Sequence, residues 1–149
     1  MKPDVPAVLE TIATTLLTEI VPALPKEYDQ KNLMLMTFAL FAAKGEWDGA
    51  AAWRVEENTA LRALFRRATA VVGDPDLAGR LREAADAPDS GLRISALDAE
   101  NARLRALVIE LQQHLETRAD GAAADLAREV MVELARGVDR RRIDVPIFG

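Results

Sequence analysis

Cysteine is absent from this chain of 149 residues, and histidine occurs once. Without cysteine there can be no disulfide, no thiolate nucleophile and no sulfur ligand for a metal, and this composition fits a reducing compartment. The single histidine, His114, has Glu110 one turn before it, but the pair matches neither helical metal motif built on Glu and His. We therefore predict no metal site and no cofactor, and we interpret His114 as a half-exposed residue near a helix end.

Nucleophile motifs and phosphate-binding loops are missing as well. Neither Ser90 nor Ser95 lies in a serine-nucleophile motif, and no glycine-rich loop has the spacing that holds nucleotide phosphates. These absences argue against a serine hydrolase and against a nucleotide-driven kinase. We predict no catalytic residue in this chain.

An excess of positive charge is absent, since Asp and Glu number 24 against 19 Lys and Arg, the net charge is −5 and the pI is about 5.0. Nucleic-acid binding needs Lys and Arg to neutralise phosphates, so we predict no nucleic-acid partner. The local exception is 140–142, three consecutive arginines. We interpret it as a solvated tail, with an acidic partner or a phosphate group as the alternative ligand. No apolar run approaches the ~20 residues of a membrane span, so we predict a cytoplasmic protein without membrane contact.

Alanine is abundant, and strand-forming residues nowhere alternate cleanly. Alanine favours helices because its side chain loses no entropy there. We predict an all-α fold, a compact bundle of five to six helices with one long helix near residues 92–118. The length fits a single helical domain over 1–149, with a hinge in the loop at 87–91.

Helix ends in the first third are marked by aspartate, proline and glycine. Asp4 is placed to cap a first helix, which Pro22 and Pro25 should end. A second helix is predicted from 29 to 44, and because its stretch LMLMTFALFAA is apolar almost all round, we expect it to be the central, most buried helix. Gly45 should end it.

Asp48 is placed to cap a third helix. Trp47 and Trp53 flank this cap, and we interpret them as a packing corner, with a groove lining as the alternative. Of the adjacent carboxylates further along, Glu56 should be solvated and Glu57 turned inward in a structural role. The remaining boundaries are predicted at Gly73, Asp74–Pro75, Pro88, Asp120–Gly121 and Gly137, and the apolar tail segment 145–148 should dock on the protein.

The long helix carries two interleaved seven-residue spacings of apolar residues. One spacing has a polar member, Asn101, which in parallel dimers fixes register by pairing with its counterpart. Ser95 and Asp98 match a capping box at the start of the helix. The two heptad positions are Ile94, Asn101, Val108 and Leu115, and Leu97, Leu104 and Leu111.

Two interpretations of this helix remain open. Leu107 and Ile109 widen the apolar stripe, which favours a helix packed inside its own domain with an internal partner for Asn101. The alternative is direct pairing across a subunit interface, with Glu100 and Arg105 at the positions that join two parallel helices.

Two segments carry a family resemblance. The N-terminal run PDVPAVLETIATTLLTEIVPALPKEYDQKNLMLMTFALFAAKGEW and the later run ENARLRALVIELQQHLE resemble a family of small, uncharacterised helical bacterial proteins. Members of that family are encoded beside aminoglycoside-phosphotransferase-like kinases and acyl-CoA dehydrogenases. The resemblance implies an accessory partner of a kinase that phosphorylates hydroxyacyl-CoA substrates, and it transfers no catalytic residue to this chain.

Three functional hypotheses follow. The first is a non-catalytic accessory protein that binds a kinase-like enzyme of acyl-CoA metabolism. The second is a homodimeric helical interaction module, and the third is a small ligand-binding bundle with a pocket lined by Met34, Met36 and Phe38. The residues that we predict at a partner interface are Glu100, Asn101, Arg105, Trp47 and Trp53.

Overall fold

The computed structural model of the protein describes residues 4–118 and 120–140, apart from the side chain of Asp48. These residues form α1 (Val5–Thr15), a π-helical turn (Leu16–Ile20), α2 (Val21–Ala23), α3 (Glu27–Ala68), α4 (Pro75–Asp86), α5 (Ile94–Glu116) and α6 (Gly121–Arg140). No strand occurs in the described ranges. The prediction of an all-α fold with one long helix near 92–118 is confirmed.

The described part of the chain divides into two compact units, a first unit up to residue 50 and a second unit from residue 51 to residue 140. The loop at 87–91 lies inside the second unit. A single domain over 1–149 and a hinge at 87–91 stay predictions.

The first unit begins with the capped helix that the sequence predicts. Asp4 accepts a hydrogen bond from the backbone N–H of Ala7 at 3.3 Å, which satisfies one orphan donor of the first turn. Pro22 does not end the helix. The π turn lets Val21 N–H donate to Leu16 O, and this wider turn accommodates the ring of Pro22 within the last three helical residues. The helix ends at Ala23.

The segment Val5–Ala23 is also long and apolar enough to cross a membrane by length and composition, with a mean hydropathy of 1.3. The expectation that no apolar run approaches that length is therefore wrong. A signal sequence and the core helix of a soluble protein meet the same criterion, so this helix alone does not assign a location.

The predicted second and third helices are one helix. α3 runs uninterrupted for 42 residues through Gly45 and Asp48, so Gly45 is not a helix terminus and Asp48 does not cap a new helix. Glycine in a helix interior costs only about 1 kcal/mol relative to alanine, which flanking helix formers can offset.

The expectation that the apolar stretch 33–43 forms the most buried helix is also wrong. Thr37 is fully buried there, but Leu35 and Met36 are 64% and 62% exposed. The stretch has one face against its own unit and one face in the open.

The second unit contains the larger core. α3 contributes Leu61, Leu64 and Phe65, which pack against buried residues of the other three helices. From α4, α5 and α6 the core receives Leu77, Leu81, Ala84, Ala85, Leu104, Leu107, Val108, Leu111, Leu115, Ala123, Leu126 and Val130. Burial of each large apolar side chain stabilises the fold by about 1.5–3 kcal/mol, so this cluster is the main source of stability in the unit.

The boundaries of the helices in the second unit agree with the sequence at Asp74, Pro88 and Asp120 and differ from it at Ser95 and Gly137. Asp74 accepts from the N–H groups of Asp76 and Leu77, and α4 ends before Pro88. Asp120 caps α6 through the N–H of Ala123 at 2.9 Å. The capping box of Ser95 and Asp98 is wrong, because Arg93 is the N-cap residue and makes no side-chain cap bond. Gly137 does not end α6, which continues to Arg140.

Candidate interaction site

A buried ion pair joins α3 to α5. Glu57 is 2% exposed, and its Oε1 accepts from Nε and Nη2 of Arg105 at 2.9 and 2.6 Å. The prediction of Glu57 turned inward and Glu56 solvated is confirmed. Gly137 on α6 lies over this pair, since a Cβ there would be 3.2 Å from Arg105 Nη2 and 3.4 Å from Glu57 Oε1. The absence of a side chain at Gly137 therefore leaves room for the pair.

Asn101 finds a partner inside the chain. Its Nδ2 donates to Oδ1 of Asn58 at 3.0 Å, and both side chains are buried. Asn58 in turn donates to Oδ1 of Asp89 at 3.0 Å and to the backbone oxygen of Leu97. This arrangement agrees with the interpretation that Asn101 has a partner inside its own chain. The carboxamide that would fix register in a parallel dimer is hydrogen-bonded to α3 instead.

Arg62 extends the polar network toward the loop that precedes α5. Its Nη2 lies 2.9 Å from both Asp89 Oδ1 and Glu100 Oε1, while its buried Nε has no hydrogen-bond partner among the described residues. The hydrogen bond from Arg103 lowers the pKa of Glu100 against the opposing effect of burial, and the charges of Arg103 and Arg62 lower it further. Glu100 is therefore a carboxylate held ionised by two guanidinium groups.

The chemistry of this network is structural. The carboxylates of Glu57, Asp89 and Glu100 each contact a guanidinium group. The lowered pKa of Glu100 makes its carboxylate a weak base and a poor proton acceptor for catalysis. What the network does provide is directional contacts between α3, α5 and the 87–91 loop, which fix the register of helices whose apolar contacts are less specific.

The region of His114 does not assemble a metal site. Glu110 contacts Arg80 at 2.6 Å, and the buried Nε2 of His114 has no hydrogen-bond partner within the part of the chain that the structure describes. Across the described residues no group of three or more His, Asp or Glu side chains is placed to hold a metal ion.

A groove of about 220 Å³ lies between α5 and α6. Its walls are Val108 and Ile109 on one side and Leu134 on the other, and Arg105, Gln112 and Gln113 lie at its edges. Ile109 is exposed, although its neighbour Val108 is buried. We call this surface the α5/α6 groove.

The apolar wall continues along α6 beyond the groove. Met131 and Val138 are exposed and lie on the same helical face as Leu134, at spacings of three and four residues. An apolar surface of this kind, edged by polar side chains, is typical of a protein-binding site.

A larger cleft of about 550 Å³ lies between α3 and α6, but it is lined mainly by charges. Arg67 contacts Glu129 at 2.8 Å, and Arg140 contacts Glu133 at 2.8 Å. Because both signs are paired at short distance, the cleft offers no single-sign field to a charged ligand.

The residues predicted at a partner interface fall into three environments. Glu100, Asn101 and Arg105 belong to the internal network, although Arg105 also reaches the edge of the α5/α6 groove. Trp53 is half-buried, with the guanidinium of Arg54 4.0 Å from its ring centroid, and Trp47 is exposed. The corner predicted for the two tryptophans is wrong, since both lie on the uninterrupted helix α3. An interface role for these five residues stays a prediction.

Sequence reasoning missed Arg62 and Asp89, and it gave Asn58 no role. A signal was present on α3, because Arg54, Asn58 and Arg62 recur every four residues and so share the helical face of the core residues Leu61 and Phe65. Polar residues on an apolar face indicate a buried network. Asp89 has no such signal, because its loop gives no periodicity to interpret.

No protein-family model matches this sequence, and neither a curated protein nor a solved structure matches it. The resemblance to the helical bacterial family therefore stays a prediction from the sequence.

Proposed function

We propose that this protein is a non-catalytic interaction module that binds a helix of a partner enzyme in the α5/α6 groove. The observation that carries the proposal is the apolar wall of Ile109, Leu134 and their exposed neighbours on α6. A groove between two antiparallel helices accepts the apolar face of a third, amphipathic helix, with anchors spaced at three and four residues. The side-chain amides of Gln112 and Gln113 would meet the polar edge of such a helix.

The internal network supports a scaffold role. The buried contacts of Glu57, Asn58 and Arg62 connect α3 to α5, and the core packs α5 against α6. The walls of the groove are thus held by structure beneath them, so a partner helix meets a preformed surface at lower entropic cost.

The identity of the partner rests on the sequence resemblance, which implies a kinase-like enzyme of acyl-CoA metabolism. In this proposal the protein raises the population of the competent conformation of that enzyme by binding it more tightly than other conformations. The phosphoryl-transfer residues belong to the partner. A cytoplasmic location fits a chain without cysteine that would serve a metabolic enzyme.

The other two hypotheses have less support. Pairing of two long helices through Asn101 has less support, because the Asn101 side chain already donates a hydrogen bond to Asn58 of its own chain. A ligand pocket at Met34, Met36 and Phe38 requires these side chains to converge inward, whereas Met36 is exposed.

The experiment is co-purification of the protein with an aminoglycoside-phosphotransferase-like kinase, the partner that the sequence resemblance implies, followed by an activity assay with and without the protein. We expect a complex at micromolar concentration and a higher kinase rate. Ile109→Glu should abolish both, because it places a charge in the apolar wall. The matched control is Ala99→Glu, at an exposed position of the same helix outside the groove. Separate elution of the wild-type proteins, with unchanged kinase activity, would contradict the proposal.

A further inference from the structure

An exposed apolar stripe runs along the first part of α3, in the first unit. It consists of Tyr28, Leu35, Met36, Ala39, Ala43 and Trp47, and we call it the α3 stripe. All six residues are exposed. They recur at helical spacing over 19 residues, about 28 Å at 1.5 Å per residue. The surface is distinct from the α5/α6 groove, which belongs to the second unit.

The opposite face of this part of α3 is the one that packs within the unit. Thr37 is fully buried, and Lys44 reaches Glu10 of α1 at 2.8 Å. Residues 36 and 37 differ by about 100° around a helix, so burial of Thr37 and exposure of Met36 define two separate faces. A helix that is apolar on both faces is ordinarily covered on both.

We propose that the α3 stripe is a homodimerisation surface, on which α3 of a second copy packs antiparallel about a two-fold axis. The arrangement of the stripe residues is self-complementary. Positions 28 and 47, and positions 36 and 39, are symmetric about the same point between residues 37 and 38. A two-fold axis at that point places Tyr28 against Trp47 of the second copy and Met36 against Ala39, so that bulky side chains meet small or flat ones.

The exposed area is sufficient for a pair. Tyrosine and tryptophan side chains cover about 150–250 Å² each. Tyr28 and Trp47 are 74% and 60% exposed. With the other four residues the stripe presents about 500 Å² per chain, hence about 1,000 Å² in a dimer, which reaches the threshold of a biological interface and fits a weak, reversible pair. The small residues Ala39 and Ala43 allow the two helices to approach closely.

The charges that flank the stripe do not oppose the pairing. Lys31 contacts Glu27 at 2.7 Å, and Lys44 contacts Glu10 at 2.8 Å. Each lysine is thus neutralised within its own chain, and two copies can approach without like-charge repulsion between these groups.

A bilayer that the helix would cross is one competing occupant, and the dimensions disfavour it. Only twelve uncharged residues separate Lys31 from Lys44. They extend about 18 Å, compared with about 30 Å of hydrocarbon in a bilayer.

The first test is the mass of the full chain by sedimentation velocity. We expect twice the chain mass of 16.3 kDa at micromolar concentration. Met36→Glu should raise the dimer dissociation constant at least about tenfold, because a two-fold interface contains the substitution twice. Leu92→Glu, at a similarly exposed leucine outside the stripe, should leave the mass unchanged. A monomeric wild type, or a dimer that Met36→Glu leaves intact, would overturn the proposal, as would flotation with phosphatidylglycerol vesicles that Met36→Glu abolishes.

The second test uses the absence of native cysteine to measure the register. Tyr28→Cys and Trp47→Cys chains are prepared separately, then mixed under mild oxidation. We expect a disulfide-linked heterodimer between the two variants, and little linkage of Tyr28→Cys with itself, since those positions lie about 28 Å apart in the antiparallel pair. A disulfide requires Cα atoms within about 7 Å. Preferential linkage of Tyr28→Cys with itself would indicate a parallel pair and refute the register.

Discussion

Removal of Arg105 is the most informative perturbation of the buried network. In Arg105→Met the apolar stem is kept and the guanidinium is lost, so the Glu57 carboxylate loses the two hydrogen bonds that Arg105 donates at 2.9 and 2.6 Å. The side chain of Glu57 is 3% exposed, whereas that of Arg105 is 34% exposed. Water therefore cannot replace the lost contact at Glu57.

Removal of the Arg105 guanidinium should lower the unfolding free energy much more than removal of the Glu57 charge. Breaking a buried ion pair by removing one partner costs about 3–5 kcal/mol, and we expect the lower end because Arg105 is partly solvated. Glu57→Gln should cost only about 1 kcal/mol, since the Arg105 left behind can turn toward water. The double variant should cost less than the sum of the single variants, because it removes the Glu57 charge together with the guanidinium that compensates it.

The assay is urea unfolding followed by circular dichroism at the helix band. The control is Arg67→Met, which breaks a pair between α3 and α6 whose side chains are 56% and 48% exposed, and which should cost about 0–1 kcal/mol. If Arg105→Met is no more destabilising than Arg67→Met, or if the two single effects at Glu57 and Arg105 simply add, the ion pair does not join α3 to α5 as described.

Three further predictions test other parts of the structure. Gly45→Ala should stabilise the protein by about 0.5–1 kcal/mol in thermal unfolding, because α3 is continuous there and nothing lies within 4 Å of the new Cβ. Gly137→Ala should stabilise it less, because its Cβ meets Arg105 Nη2 at 3.2 Å. Destabilisation by Gly45→Ala would indicate that the helix ends at that residue. Asn101→Leu should lower the unfolding free energy by about 1–2 kcal/mol, because Asn58 Oδ1 loses its donor, and should leave the mass in light scattering equal to that of the wild type. Glu100 has a lowered pKa, so its stabilising contribution is present above its ordinary pKa of 4.5 and is lost as the pH falls through the lowered value. The unfolding free energies of wild type and Glu100→Gln should therefore differ at neutral pH and converge in acid. A difference that persists in acid would contradict this assignment.

Local signals in the sequence were sufficient where a single residue determines the outcome. Asp4 and Asp74 cap helices because a carboxylate before a helix start satisfies orphan N–H groups whatever surrounds it. The heptad positions of α5 were found in the same way, since Leu97, Leu104 and Leu111 are all buried. Periodicity identifies the face of a helix that will be covered.

The same reasoning failed where a local preference competes with its neighbours. Gly45 weakens a helix by about 1 kcal/mol, which is too little to end one that continues favourably on both sides. The helix continues through Pro22 because a π turn precedes this residue. No short sequence motif predicts such a turn.

Long-range pairing accounts for what the sequence left undetermined in the candidate site. Glu57 could be predicted to turn inward from its position on α3, but its partner Arg105 lies 48 residues away. The apolar stretch 33–43 was expected at the centre of a bundle because its composition shows that its side chains favour burial. Composition does not show whether other helices pack against them. The exposed side of that stretch is the basis of the α3 stripe.

Hydrogen exchange of the protein with and without the kinase that we propose as its partner tests the central claim most directly. If the α5/α6 groove is the binding site, amides near Arg105–Gln113 on α5 and Met131–Val138 on α6 should gain protection on binding, while those of α4 stay unchanged. Protection confined to other helices, or no change in the presence of a saturating amount of kinase, would contradict the account.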